Sequence, residues 1–242
     1  MEIFVADTYE TMSQQAADDV IELMQSFKEP LICTASGHSP AGLYKEIIGQ
    51  IDKKRLDISD WYFVGLDEWA GLNGSDEGSC RHHLDLELFN PLNIADSRIC
   101  FFDGRAQNLQ EECANTEEFI RQHGGIAVAI LGVGMNGHVG MNEPGISPAL
   151  RSHVTDLHPI TQKVGQKYFK EQQQLTQGIT LGVATLMEAR HIILLVSGSH
   201  KAEIVKKVIE EEISEQLPAS LLRQHPGLRI YLDEEAAQMV ES

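Results

Sequence analysis

Short apolar runs alternate with amphipathic helical stretches, and polar or glycine-rich turns follow the runs. That pattern predicts an α/β protein with a doubly wound, mainly parallel sheet flanked by helices, a Rossmann-like three-layer sandwich. The runs are Leu31 to Ala35, Trp61 to Leu66, Ile99 to Phe102, Ile126 to Leu131, His191 to Ser197 and Leu228 to Leu232. In such sheets ligands sit beyond the carboxyl ends of the strands, so the residues just after each run carry the functional information.

The first helix is expected over Asp7 to Phe27. Asp7-x-x-Glu10 reads as a capping box, and Met12, Ala16, Val20, Leu23 and Phe27 share one helical face. Further helices are expected from about Pro40 to Gly49, over Asp76 to Phe89, over Leu109 to His123 and over His200 to Glu211. Gly124-Gly125 closes the fourth of these, glycine being the favoured helix terminator. No internal repeat interrupts the pattern, and residues 1–242 read as one domain. The least regular part, Gly145 to Gly178, is rich in glutamine. Two readings stand for it, a mobile helical lid at about 146–178 and an exposed connecting helix.

Composition narrows the function classes. Nineteen basic residues against 36 acidic ones give a net charge of −17, which repels nucleic acid and anionic membranes at long range. An anionic ligand would need a locally positive site. No apolar run reaches the length of a membrane span, and Met1-Glu-Ile-Phe-Val lacks a signal-peptide layout, so a cytoplasmic location is expected. The cysteines Cys33, Cys80, Cys100 and Cys113 are scattered without a CxxC pair, which argues against zinc or disulfides.

Three strand ends stand out. After the run ending at Ala35 comes Ser36-Gly37-His38-Ser39-Pro40, with Ser39 as an expected N-cap and Pro40 at the first helical position. A glycine turn into a helix N-terminus is an anion site or an ordinary capped helix. The arrangement recurs as Ser197-Gly198-Ser199-His200-Lys201, where a first-turn lysine opposes the helix dipole unless an anion binds beside it. After Leu66 comes Asp67-Glu68, of which one carboxylate can face the crevice while the other serves the scaffold. A carboxylate in a partly desolvated crevice becomes a useful general base.

The densest signal is Leu131 to Gly145, with five glycines, Pro144, His138 and Glu143 in the fourteen positions after Leu131. Gly132-x-Gly134-x-x-Gly137 matches the dinucleotide fingerprint formally. That fingerprint requires a helix to start at once, and residues 138–148 hold two glycines and two prolines instead. NAD binding is therefore not expected. His138 and Glu143 are placed to hydrogen-bond, with the carboxylate orienting the imidazole.

Together Leu66-Asp-Glu-Trp69, Gly132-Val-Gly-Met-Asn-Gly-His-Val-Gly-Met-Asn-Glu-Pro-Gly145, Ile179-Thr-Leu-Gly182, Ser197-Gly-Ser-His-Lys-Ala202 and Pro218-Ala-Ser-Leu-Leu222 resemble the amino-sugar-6-phosphate deaminase (isomerase) family along essentially the whole chain. The resemblance implies conversion of an amino-sugar 6-phosphate to a ketohexose 6-phosphate and ammonia, without an organic cofactor. It implies that His138 opens the sugar ring, that Glu143 orients it and that Asp67 moves the proton between C2 and C1. Ser36, Gly37, His38, Ser39 and Lys201 would hold the phosphate. Three departures from the family accompany it. Asn136 stands where some members carry aspartate, and it would position His138. Lys167 stands near the place of the lid arginine, a point charge without the bidentate fork. His38 interrupts the usual phosphate loop. Trp69, Gly124-Gly125, Val139 to Gly145 and Glu188-Ala-Arg190 look closer to the galactosamine branch, whose product is tagatose 6-phosphate; the glucosamine branch gives fructose 6-phosphate.

Related 6-phosphogluconolactonases share the Gly-x-Gly-x-x-Gly-His start but not Asn142-Glu143-Pro144, which makes lactone hydrolysis the rival enzyme reading. A sugar-phosphate sensor is the rival of another class. It would carry a DNA-binding domain, and here the fold is expected to begin within the first ten residues. A homo-oligomer is left open. Hexameric, allosterically regulated members have a longer C-terminal tail, so regulation by an acetylated amino-sugar phosphate is not expected.

Overall fold

The computed structural model describes residues 1–241. Among them seven strands form one parallel sheet in the order β1 (Glu2–Ala6), β10 (Leu228–Asp233), β9 (His191–Val196), β6 (Val128–Gly132), β2 (Leu31–Thr34), β3 (Tyr62–Gly65) and β5 (Ile99–Cys100). Alternate side chains of the central strands supply two cores. Cys33, Leu131 and Leu194 face one layer of helices, and Ile32, Ile130 and Ile193 face the other. Burial on both faces is why these strands read as unbroken apolar runs, and the doubly wound three-layer architecture is present as expected.

The helices on the second face are α1 (Tyr9–Gln25) and α2 (His38–Lys54). The cap of α1 is Thr8 rather than Asp7: the Thr8 hydroxyl accepts from the Thr11 N–H at 3.1 Å. The helix expected from Asp76 begins only at Cys80, because Gly78 sits at φ +95° and Ser79 supplies the cap. It runs as α3 (Cys80–Leu84) and then opens into a π-helical turn over Asp85–Phe89. On the first face α4 (Leu109–Gln122) ends at Gly124 and Gly125, both with positive φ, as anticipated. The edge strand β1 was not foreseen. Its exposed, short pattern carries no buried run.

The stretch 146–178 departs furthest from expectation. It holds β7 (His153–Asp156), α5 (Pro159–Gly165) and the start of β8 (Gln177–Thr180). With β4 (Asp67–Trp69) these strands form an antiparallel sheet in the order β4-β8-β7. Part of the glutamine content is spent locally: the Gln166 amide both donates to and accepts from the backbone of Gln173. The remaining helices are α6 (Val183–Met187), α7 (Ala202–Glu210), α8 (Pro218–Leu221) and α9 (Glu234–Ala237). Among the described residues no helix is long and apolar enough to cross a membrane.

The small sheet returns to the main one through Gly182. A Cβ there would lie 2.1 Å from the carbonyl oxygens of Leu150 and Arg151, and backbone atoms cannot rotate aside as a side chain would. We expect Gly182→Ala to lower the unfolding free energy by about 2 kcal/mol, within the range for forced overpacking. The readout is the urea midpoint at constant m, and an unchanged midpoint would contradict the clash.

Candidate active site

Strand order reverses between β6 and β2, and a pocket opens at the carboxyl ends of β2, β3, β6 and β9 with α5 over its mouth. This is the switch-point crevice of a doubly wound sheet. The structure brings Asp67, His138, Ser36, Gly37, His38, Ser39, Lys167 and Lys201 to its wall. Asn136 and Glu143 stand behind His138 instead.

The loop after β6 holds His138 by a chain of polar contacts. His138 Nδ1 lies 2.6 Å from Asn136 Oδ1, 3.1 Å from the Thr161 hydroxyl and 3.6 Å from Glu143 Oε2. The Asn136 amide donates to Glu143 Oε2 at 2.8 Å, and the His158 N–H donates to the other carboxylate oxygen. A carboxylate can only accept, so the Asn136 Nδ2 must face Glu143 and its Oδ1 must face the imidazole. His138 therefore carries its proton on Nδ1, which leaves Nε2 without a partner among the described residues. The expected direct bond between His138 and Glu143 is thus bridged by Asn136. Gly134 makes room for this arrangement: a Cβ there would lie 2.1 Å from the imidazole ring.

Burial alone would raise the Glu143 pKa. The His138, Thr161 and Asn136 groups around the carboxylate outweigh it and hold it at about 2. For Asp67 the balance is opposite. Burial pushes its pKa up to about 6, against the Cys80 thiol and the charge of His138, which pull it down. Glu68 points away from the crevice. Its carboxylate accepts from the backbone N–H groups of Trp69, Cys80 and Arg81 at 2.9–3.0 Å, tying β4 to the start of α3. The adjacent pair is divided between site and scaffold, as expected from the sequence.

The two glycine turns differ from one another. In the first, Gly37 at φ +125° is itself the N-cap of α2, not Ser39, and no side chain caps the helix. The N–H groups of Gly37, His38 and Ser39 make no hydrogen bond among the described residues and are open to an anion. In the second, most of the expected free N–H groups are already taken. Asp233 accepts from Gly198, Glu235 accepts from Ser199, and the Lys201 N–H bonds the Gly198 carbonyl. This turn contributes side chains instead. Lys201 Nζ donates to the Val133 carbonyl at 2.6 Å, and burial followed by the charge of Lys167 lowers its pKa to about 8. His200 joins the same wall, its pKa lowered by burial and then by Lys201, Lys167 and His38. An acidic protein thus sets two lysines and two histidines along one wall of the pocket.

Sequence reasoning missed Thr161, Cys80 and His200. Thr161 and Cys80 have no motif of their own, whereas His200 lay inside a stretch already singled out, beside Lys201.

These features define an α/β protein with an anion-receptive pocket and paired acid–base groups. The sequence pattern of the glucosamine-6-phosphate isomerase/6-phosphogluconolactonase family matches residues 6–230, and the chain belongs to that family. The glucosamine-6-phosphate deaminase of Oceanobacillus iheyensis is 36% identical over 239 residues, covering 98% of this chain and 96% of that protein. The deaminase of Clostridium perfringens is 34% identical over 242 residues, covering 100% of both. The solved structure of a monomeric glucosamine-6-phosphate deaminase superposes with a TM-score of 0.95 at 33% identity, over 99% of this chain and 100% of that one. The 6-phosphogluconolactonase of Thermotoga maritima, at 16% identity and a TM-score of 0.75 over 96% of this chain and 97% of that one, shares the fold.

Replacing Glu68 by glutamine would set an amide, with two donors of its own, against three backbone N–H groups. We expect Glu68→Gln to destabilise the protein by about 2 kcal/mol, measured as a lower urea midpoint. Wild-type stability would mean that the three bonds are dispensable.

Proposed function

We propose that this protein is an amino-sugar-6-phosphate deaminase that converts glucosamine 6-phosphate to fructose 6-phosphate and ammonia. The observation that carries the reading is the pairing in one pocket of Asp67, a carboxyl with pKa near 6, with an imidazole whose Nε2 is free. The open helix N-terminus and the lysines at the other end supply a place for the phosphate. The relatives named glucosamine-6-phosphate deaminase support the substrate class.

In this reading the Gly37–Ser39 N–H groups, Lys201 and Lys167 bind the phosphate, and His138 Nε2 takes the proton from O1 and returns it to the ring oxygen. The aldehyde so formed acidifies the C2 proton. Asp67 removes that proton and delivers it to C1 while one amine proton passes to O1, which leaves a C1 alcohol and an imine at C2 that water cleaves to the ketose and ammonia. Glu143 and Asn136 keep the His138 tautomer fixed through the cycle.

The galactosamine epimer, with tagatose 6-phosphate as product, is the second reading. Of the residues resembling that branch, Glu188 pairs with Arg151 at the surface and Gly124-Gly125 ends α4, all outside the pocket. Trp69, Gly140 and Met141, by contrast, line the pocket. Ammonia release measured side by side from the two epimers decides between them. We expect a higher kcat/KM for the glucosamine compound; the reverse order would move the assignment to the galactosamine branch. Hydrolysis of 6-phosphogluconolactone with no ammonia from either epimer would overturn both readings.

Asp67 acts as a base in its ionised form, so activity is lost as protons bind it. We expect kcat/KM to fall below about pH 6 with unit slope. Asp67→Asn should lower kcat by at least about 10²-fold at little cost in KM. A limb near pH 4, the ordinary carboxylate range, would show that another group is the base.

A further inference from the structure

The first turn of α2 is braced from outside by a residue not yet assigned a role. Tyr9, the first residue of α1, reaches across so that its hydroxyl donates to the His38 carbonyl at 2.6 Å and accepts from the Gly42 N–H at 2.7 Å. These are the two groups that face one another along a regular α-helix, four residues apart. Its ring also stacks on the His38 imidazole, with centroids 5.0 Å apart and planes 14° from parallel. Gly42 is the complement of this contact. A Cβ at that position would lie 2.7 Å from the Tyr9 ring and hydroxyl and 2.3 Å from the Ser13 hydroxyl. A glycine that would otherwise only weaken the interior of α2 is thus the residue that admits Tyr9.

We infer that Tyr9 is a positioning residue for the phosphate end of the pocket, its hydroxyl and ring fixing the α2 N-terminal turn so that the Gly37–Ser39 N–H groups converge on the anion. The inference rests on the reading above that this turn takes the phosphate. Three observations support it. The turn has no side-chain cap of its own to hold it. His38, the residue that Tyr9 grips by both ring and carbonyl, lines the pocket. The gripped carbonyl belongs to the first helical residue, so movement there redirects the N–H groups beside it. Tyr9 touches no reacting atom, and its effect falls on binding.

The test measures KM and kcat for glucosamine 6-phosphate and the inhibition constant of inorganic phosphate in the wild type, Tyr9→Phe and Gly42→Ala. KM and the phosphate constant should rise together by about three- to tenfold, the effect of one hydrogen bond on binding, with kcat changed by less than about twofold. A lower melting temperature with phosphate affinity unchanged would reduce Tyr9 to a packing link between α1 and α2 and overturn the inference. A fall in kcat alone would overturn it equally. If the wild type releases no ammonia, the functional reading fails by itself, and calorimetric titration of inorganic phosphate into wild type and Tyr9→Phe still tests the role of Tyr9. Tyr9→Phe only removes an oxygen, so it keeps the question answerable if Gly42→Ala does not fold.

Discussion

The Leu66 peptide is hydrogen-bonded on both sides, and each bond belongs to a different sheet. Its N–H donates to the Thr34 carbonyl at 3.0 Å beside the end of β2. Its carbonyl accepts from the Leu181 N–H at 2.9 Å and from the Thr180 hydroxyl at 3.3 Å, at the end of β8. One residue therefore carries the chain out of the parallel sheet and into the antiparallel one. The next side chain, Asp67, is delivered to the crevice by that exit, and Glu68 is turned into the scaffold by strand alternation. Thr180 also accepts from the Met141 N–H, so the loop bearing His138 and Glu143 is registered against the same junction. Asn142 completes it by donating to the Val139 and Leu181 carbonyls.

Two opposite electrostatic solutions meet in this pocket. The carboxylate of Glu143 is surrounded by groups that stabilise its charge, whereas Asp67 lacks enough of them and is pushed toward neutrality. Two carboxyl groups are thereby tuned in opposite directions, one well below and one above the ordinary carboxylate range. The cationic end of the pocket carries the complementary strain. Lys201 is partly buried beside Lys167 with one carbonyl as hydrogen-bond partner, and an anion bound beside it would offset both the desolvation and the repulsion. A net charge of −17 raises the contrast between this pocket and the rest of the protein.

Motif residues converge on one pocket because each is constrained by local geometry. Gly134 is required by the imidazole laid over it and Gly37 by a positive φ at the head of α2; both needs are written in a few neighbouring positions. The two glycine turns looked alike in sequence and proved different, because Asp233 and Glu235 arrive from the far end of the chain to consume the N–H groups of the second. Nothing near Ser197 announces them. Thr161 likewise reaches His138 from a segment whose composition suggested only a polar connection.

By itself the sequence determined the layers of the fold, since apolar runs without alternation demand burial on both faces, and it singled out His138, Glu143 and Asp67, which lie within short, unusual motifs. Tertiary structure decided the arrangement that depends on distant partners. It set the opposite orientations of Asp67 and Glu68, the antiparallel sheet that joins β4 to β8 and β7, and the grip of Tyr9 on α2. Those features rest on hydrogen bonds between residues up to more than a hundred positions apart, as between Thr180 and Leu66. Periodicity and local motifs report on the neighbours along the chain, and such bonds form only when the sheet has brought its strands together.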